Sequence, residues 1–189
     1  MAVVRCMWLP VLETRRLVLQ PYEIHHLDAL HRLWTDPDVR RYLWDDVIIS
    51  RERAAQAVQD ALTSADQSGI GFWSLFQRGK EKLEGFCGLR YVENSCDIEL
   101  LYGLAPALWK RGLATEAAYA VLEYAFTTIH LERVYARSDI PNVGSARVMR
   151  RLGMKFETEA RIGTLPMACY SITREEFLAA RSKQVSARS

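Results

Sequence analysis

Hydrophobic and polar positions change rhythm several times along the chain, and each change marks an element. Arg15–Pro21 (RRLVLQP) is rich in branched residues and predicts a strand. Ile24, Leu27, Leu30 and Trp34 then fall on one helical stripe, which Asp36-Pro37-Asp38 ends as a turn. A second helix opens at Ser50, its expected cap, and closes at Gly69 and Gly71. Three strand-like runs follow in direct succession: Phe72–Gln77, Leu83–Val92 and Cys96–Leu104, the last stopped by Pro106. From about Gly112 to Thr128 the helical rhythm returns, with apolar positions at 114, 117, 118, 121, 122 and 125 and Glu116 and Glu123 opposite. Arg133–Ser138 predicts a strand, Asn142–Leu152 a short helix, and Met154–Ala160 and Ala168–Ile172 two further strands. Thr173-Arg174-Glu175-Glu176 has the form of a capping box opening a terminal helix.

Strands in direct succession make hairpins, and strands separated by a helix make parallel crossovers. The order β-α-α-β-β-β-α-β-α-β-β, with a closing helix, predicts an α/β fold: a mixed sheet with helices on its faces. A length of 189 residues fits a single domain over 1–189, with its core at about 12–177 and a polar tail at 182–189. At 49% hydrophobic and 25% charged residues the chain is not a disordered one. A net charge of +2 supplies no general field for nucleic acid, despite the Arg pairs at 15/16, 40/41 and 150/151. No run of 18 apolar residues offers a membrane span. The apolar stretch Cys6–Leu12 is broken by Pro10 and is too short for a signal segment, so a reduced, cytoplasmic location is expected. The four cysteines contain no C-x-x-C and the four histidines add no ligand spacing, so no metal is expected.

The stretch that carries chemistry is Asp97–Phe126, where a buried strand runs through a turn and a basic Gly loop into a helix. Lys110-Arg111-Gly112-Leu113-Ala114-Thr115 stands at the helix start. The first turn of a helix offers unpaired N–H groups and a partial positive charge, which together bind anions. Gly112 lets a phosphate approach the backbone, and two cations flank it. Neither the Walker A pattern nor G-x-G-x-x-G occurs. Further on, Asn142 reads as an N-cap and Gly153 as the residue just past a helix end.

Together these pieces resemble the GNAT acetyltransferase family, most closely its branch of ribosomal-protein N-terminal acetyltransferases (RimJ/RimL-like). Trp109-x-x-Gly112-x-Ala114 occupies the family's Q/R-x-x-G-x-G/A loop, with Trp departing from the broad pattern in the first slot. The branch's ATEA follows at Ala114–Ala117, its Asn-x-x-Ser…Gly block at Asn142, Ser145 and Gly153, and its opening strand at Glu13–Pro21. The likeness spans Leu12–Phe177. It implies a mostly antiparallel sheet with splayed central strands and helices on both faces. It also implies acetyl-CoA as co-substrate, no metal, and transfer of the acetyl group to a primary amine of a protein N-terminus or a small molecule.

By the same resemblance, pantetheine lies between Ile98–Leu104 and Arg133–Ser138, on the backbone around Leu101, Tyr102 and Leu104. The pyrophosphate meets the N–H groups of Arg111, Gly112, Leu113, Ala114 and Thr115 beside Lys110, and Asn142 holds the pantetheine arm from the other side. Glu99 takes the slot where some members keep a general base, the alternative being a carboxylate paired for structure. Many members carry a proton-donating Tyr seven residues after the Asn. Here that position is Met149, which leaves Ser145 to face the departing sulfur. Cys87, Cys96 and Cys169 read as core residues. The acceptor side falls between Thr35–Ser50, with Tyr42, Trp44 and Asp45 as candidates for holding an amine, and the hairpin Ala160–Pro166. A catalytically silent acyl-CoA sensor is the competing reading. The expected partners are acetyl-CoA and an amine acceptor, in a monomer or homodimer.

Overall fold

The structure is a computed structural model that describes residues 9–162 and 165–186. Gly163 and Thr164, at the tip of the expected Ala160–Pro166 hairpin, lie outside the described residues, as do Cys6 and residues 187–189. Eight strands form one sheet: β1 (Leu12–Glu13), β2 (Leu17–Pro21), β3 (Phe72–Gln77), β4 (Leu83–Tyr91), β5 (Ile98–Leu104), β6 (Arg133–Asp139), β7 (Lys155–Ile162) and β8 (Leu165–Thr173). Their order across the sheet is β1-β2-β3-β4-β5-β6-β8-β7. Neighbours are antiparallel except β5 and β6, which run parallel. The helices are α1 (Leu27–Thr35), α2 (Pro37–Arg40), α3 (Arg51–Ser68), α4 (Leu113–Thr127), α5 (Val143–Arg151) and α6 (Arg174–Ser186). This is the mixed α/β sheet predicted from the order of elements, and mostly antiparallel as the family resemblance implied.

Local chemistry accounts for the helix ends. Ser50 Oγ accepts from the Arg53 N–H at 3.2 Å and starts α3, and Gly69 ends it at φ +71°. Thr173 and Glu176 form the reciprocal capping box, at 2.9 and 3.3 Å. Two expectations need correction. Asp36-Pro37-Asp38 does not simply end a helix: the Asp36 carboxylate accepts from Asp38 N–H and Val39 N–H, and Pro37 opens α2. Cys96 is exposed rather than in the core, because β5 begins two residues later and Cys96 belongs to the preceding turn.

Alternation along the strands divides the core between the two faces of the sheet. Leu89, Ile98, Leu100 and Leu104 pack with α4 residues such as Ala117, Val121 and Leu122, and Met149 and Phe177 join from α5 and α6. Phe86 and Leu101 face the other way, toward Leu30 and Trp34 of α1 and Ala54 and Val58 of α3. The two layers brace β4 and β5 from both sides, and Val134 and Ala136 of β6 join the α4 layer.

Gly88 shows how closely the strands are drawn together. A Cβ there would stand 2.5 Å from Gly71 O and 2.6 Å from Phe72 Cα, both backbone atoms that cannot swing aside. Gly88→Ala is expected to lower stability by about 1–3 kcal/mol through overpacking. The check is a lower urea midpoint with an unchanged slope.

Candidate functional site

The parallel ladder between β5 and β6 holds at one register pair, Glu99 with Tyr135. Beyond it, among the described residues, no register pair joins the rest of β5, which includes Leu101, Tyr102 and Leu104, to β6. A strand edge without a ladder must find other partners for its backbone polar groups, and a ligand or water can supply them. At the end of β5 the Trp109 indole N–H donates to Leu104 O at 2.7 Å and folds the chain back toward α4.

The start of α4 is built to receive an anion. Gly112 is its N-cap residue at φ +76°, a left-handed conformation that favours glycine, and it brings no capping side chain. The first-turn N–H groups of Leu113, Ala114 and Thr115 therefore have no side-chain cap. An added Cβ at Gly112 would find nothing nearer than Arg16 Nη2 at 3.7 Å, so the approach to this backbone is open. Thr115 Oγ1 is buried without a hydrogen-bond partner among the described residues. Lys110 and Arg111 are exposed beside the loop. A third cation, Arg16, reaches it from the start of β2: Nη1 donates to Arg111 O at 2.9 Å, and Nε and Nη2 meet Glu116 at 2.7 Å. Burial alone would raise Glu116, but donors from Thr14 and Arg16 outweigh it and hold the carboxyl below its usual range. Free N–H groups, cations and an orphaned hydroxyl make a set that fits a diphosphate.

Across the cleft, Asn142 Oδ1 caps α5 by accepting from Ser145 N–H at 3.1 Å. The Ser145 hydroxyl lies 2.9 Å from the Tyr102 phenol oxygen, and the phenol also donates to Ser145 O at 3.1 Å. This bond joins β5 to α5 on the α4 side of the sheet. Burial, the leading cause, pushes the Tyr102 phenol well above its ordinary value, against the lowering effect of Ser145. Met149 is buried in the core below.

Glu99 is 3% exposed and fully engaged. Arg137 Nε and Nη2 donate to its two oxygens at 2.7 and 2.8 Å, while Arg90 Nε and Nη2 both donate to Oε2 at 3.0 and 2.9 Å. The carboxylate ties β4, β5 and β6 together at the vertex of the split. Four N–H donors leave it poorly placed to take a proton from an incoming amine, and the geometry favours the paired, structural alternative.

The acceptor candidates stand on the α1–α3 side. Trp44, Asp45 and Asp46 all have positive φ, at 55°, 51° and 59°. Trp44 packs edge-on to Trp34, and the Arg53 guanidinium covers its ring at 5.1 Å. Arg41 lies over Tyr42 at 5.6 Å. Each aromatic face that was expected to hold an amine thus already carries a cation of the chain's own. Asp45 is exposed, and its charge reaches Asp139 at the end of β6. The Asp139 carboxyl is pushed up by burial first and by Asp45 second, and it has no ion pair among the described residues.

Several of these residues left no mark in the sequence. Arg16, Arg90, Arg137 and Asp139 are ordinary charged positions until strand register sets them beside the loop, Glu99 and Asp45. The one available signal was alternation: Arg137 and Asp139 share a face of β6 with Tyr135, the partner of Glu99.

Comparison with known proteins agrees with the geometry. The family model described as the acetyltransferase (GNAT) domain matches residues 16–155. An uncharacterized N-acetyltransferase p20 of Bacillus licheniformis is 25% identical over 77% of this chain and 83% of its own length. The spermidine N(1)-acetyltransferase of Escherichia coli K12 is also 25% identical, over 75% of this chain and 74% of its own. Among solved structures, RimL, a ribosomal L7/L12 alpha-N-protein acetyltransferase in complex with coenzyme A, shares the fold. Its TM-score is 0.72 at 18% identity, covering 87% of this chain and 97% of that one.

The Glu99 clamp makes a stability prediction. Glu99→Gln leaves the guanidinium of Arg137, largely buried, without its counter-charge and should cost about 3 kcal/mol in urea unfolding. Replacing Glu99 by Leu and Arg137 by Met together should cost less than Glu99→Gln alone, because no buried charge is then stranded.

Proposed function

The chain belongs to the GNAT acetyltransferase family, and on that footing we propose that it transfers the acetyl group of acetyl-CoA to a primary amine by direct attack. The observation that carries this reading is the meeting of β5, joined to β6 at a single register pair, with the uncapped start of α4, where Thr115 Oγ1 is buried without a hydrogen-bond partner among the described residues. The N–H groups of Gly112 through Thr115, with Lys110 and Arg111, would hold the diphosphate. The β5 edge at Leu101, Tyr102 and Leu104, with Asn142, would hold the pantetheine arm. Bound acetyl-CoA supplies an activated acyl thioester.

The chain's own residues must accept a proton from the incoming ammonium. We assign this task to Asp139 rather than Glu99. Asp139 is the last residue of β6, partly buried and without an ion pair among the described residues, and its raised carboxyl holds a proton closer to neutral pH. Asp45 and Asp139 together favour an acceptor that carries positive charge, in keeping with the spermidine-acetylating relative. A protein α-amine, as in the RimL neighbour, needs less help: near its ordinary pKa of about 7.8, neutralising it at pH 7 costs about 1 kcal/mol. A lysine-like amine near about 10.4 costs about 4.6 kcal/mol. The cytoplasm, which holds both acetyl-CoA and amines, is the compartment this reading calls for. Among the described residues no helix is long and apolar enough to cross a membrane.

Acetyl-CoA should raise the melting temperature, by about 2.7 kcal/mol of added stability at a hundredfold excess over Kd. Gly112→Glu puts a side chain and a negative charge on the diphosphate seat, so this shift should vanish. An unchanged shift would move the site elsewhere. Turnover with polyamines, lysine-like amines and peptide N-termini then identifies the acceptor class.

Asp139 must be deprotonated to act, so parent activity should fall as pH drops through its raised pKa. Asp139→Asn should lower the rate by about 10²–10⁴-fold, remove that acid limb, and lose less at high pH, where more amine is neutral. A Glu99→Gln defect, being structural, should not shrink as pH rises.

A further inference from the structure

In the acyl-CoA seat proposed above Tyr102 contributes backbone only, and its phenol has no task there. It lies within hydrogen-bond distance of both oxygens of Ser145, at 3.1 Å from the carbonyl and 2.9 Å from the hydroxyl. Ser145 is held at a third point, because its N–H donates to Asn142 Oδ1. A serine hydroxyl has one proton and rotates freely unless its neighbours choose its direction. Here the neighbour is a nearly buried phenol at the opening of the β5–β6 split.

We propose that Tyr102 is a positioning residue for the thioester end of the cleft: its single O–H proton, within reach of both Ser145 O and Ser145 Oγ, turns from the carbonyl to Oγ when acyl-CoA binds, which frees the Ser145 O–H to point at the sulfur. The proposal rests on the reading that acyl-CoA occupies the split. As the C–S bond breaks and the sulfur takes the electron pair, Ser145 donates a hydrogen bond to it. No proton passes from Tyr102. Burial keeps its phenol above its ordinary value, so giving a proton to a thiolate, whose thiol ordinarily titrates near about 8.5, runs uphill. The thiolate takes its proton from solvent, and the proton lost by the amine goes to the base. Tyr102 and Ser145 therefore act as one hydrogen-bonding unit.

Tyr102→Phe keeps the ring and removes the donor. The first readout uses CoA alone: the ultraviolet absorbance of its thiolate, bound to protein, is followed against pH, with ligand-free protein subtracted. Hydrogen bonds to the charged form lower a pKa. The bound thiol should titrate at lower pH on the parent than on Tyr102→Phe, by about half to one unit, the size of one such bond. Ser145→Ala and the double variant should titrate together.

The second readout is acetyl transfer. Tyr102→Phe should lower kcat by about three- to tenfold with KM for acetyl-CoA within about twofold. The double variant should lose no more than Ser145→Ala, since the two groups act through one bond. Superimposed titrations for the parent and Tyr102→Phe overturn the proposal, as do losses that multiply in the double variant. Tighter CoA binding by Tyr102→Phe with an unmoved thiol titration also overturns it, since the bond would then merely block the empty cleft. A parent that binds CoA and shows the thiol shift, but acetylates no amine, removes the acyltransfer reading and leaves the Tyr102–Ser145 unit standing. A parent that does not bind CoA removes both.

Discussion

The cleft depends on the one point where β5 and β6 meet. Parallel strands cannot be joined by a tight turn, and here the crossover between them is α4 itself. With a single register pair the backbone ladder contributes little to holding the two halves of the sheet together. Charge does what the ladder does not: Glu99 accepts from Arg90 on β4 and Arg137 on β6, and three strands are fixed by one carboxylate. Burying a carboxylate is costly unless it is paired and hydrogen-bonded, and this one is both. The ion triad therefore sets where the strands part, and with that the origin of the cleft.

The two faces of the sheet supply different chemistry from that origin. On the α4 side, backbone N–H groups and cations gather where β5 runs into the helix, and Arg16 and Glu116 pin the loop to the start of β2. The positive potential there comes largely from fixed dipoles, which need no reorganisation to meet an anion. On the α1–α3 side, an aromatic layer of Tyr22, Phe72, Phe86, Trp34 and Trp44 carries the surface outward to a turn. That turn holds three consecutive non-glycine residues at positive φ, each costing about 1–3 kcal/mol. Trp44 packing at one end and the Arg40–Asp46 ion pair at 2.8 Å hold it in place, and it carries Asp45 toward Asp139.

Between the faces, residues expected to do chemistry divide by how fully they are already bonded. Glu99 has every donor it can use, and Ser145 shares its hydroxyl with Tyr102. Thr115 Oγ1 has none among the described residues, and the Asp139 carboxylate has no ion pair. Groups left unsatisfied in a folded protein are the ones with capacity for a ligand. In this molecule they belong to different elements, Thr115 to the first turn of α4 and Asp139 to the end of β6.

What the chain by itself determined is what lies within a few residues. The stripe of α4, the Ser50 cap, the Thr173–Glu176 box and the Gly112 loop all follow from side chains acting on their own backbone. Asn142 was legible as a cap for the same reason. Tertiary structure decided everything that depends on register. Glu99 reads identically as a base or a strut until Arg90 and Arg137, 9 positions before it and 38 after it, are brought to its oxygens. Asp36 reads as a stop until its carboxylate finds the N–H groups of a further helix, and Trp44 reads as an open aromatic face until Arg53 covers it. Periodicity records which side of an element is buried. It holds no record of which distant charge will lie opposite, because that is set by the path of the chain between them.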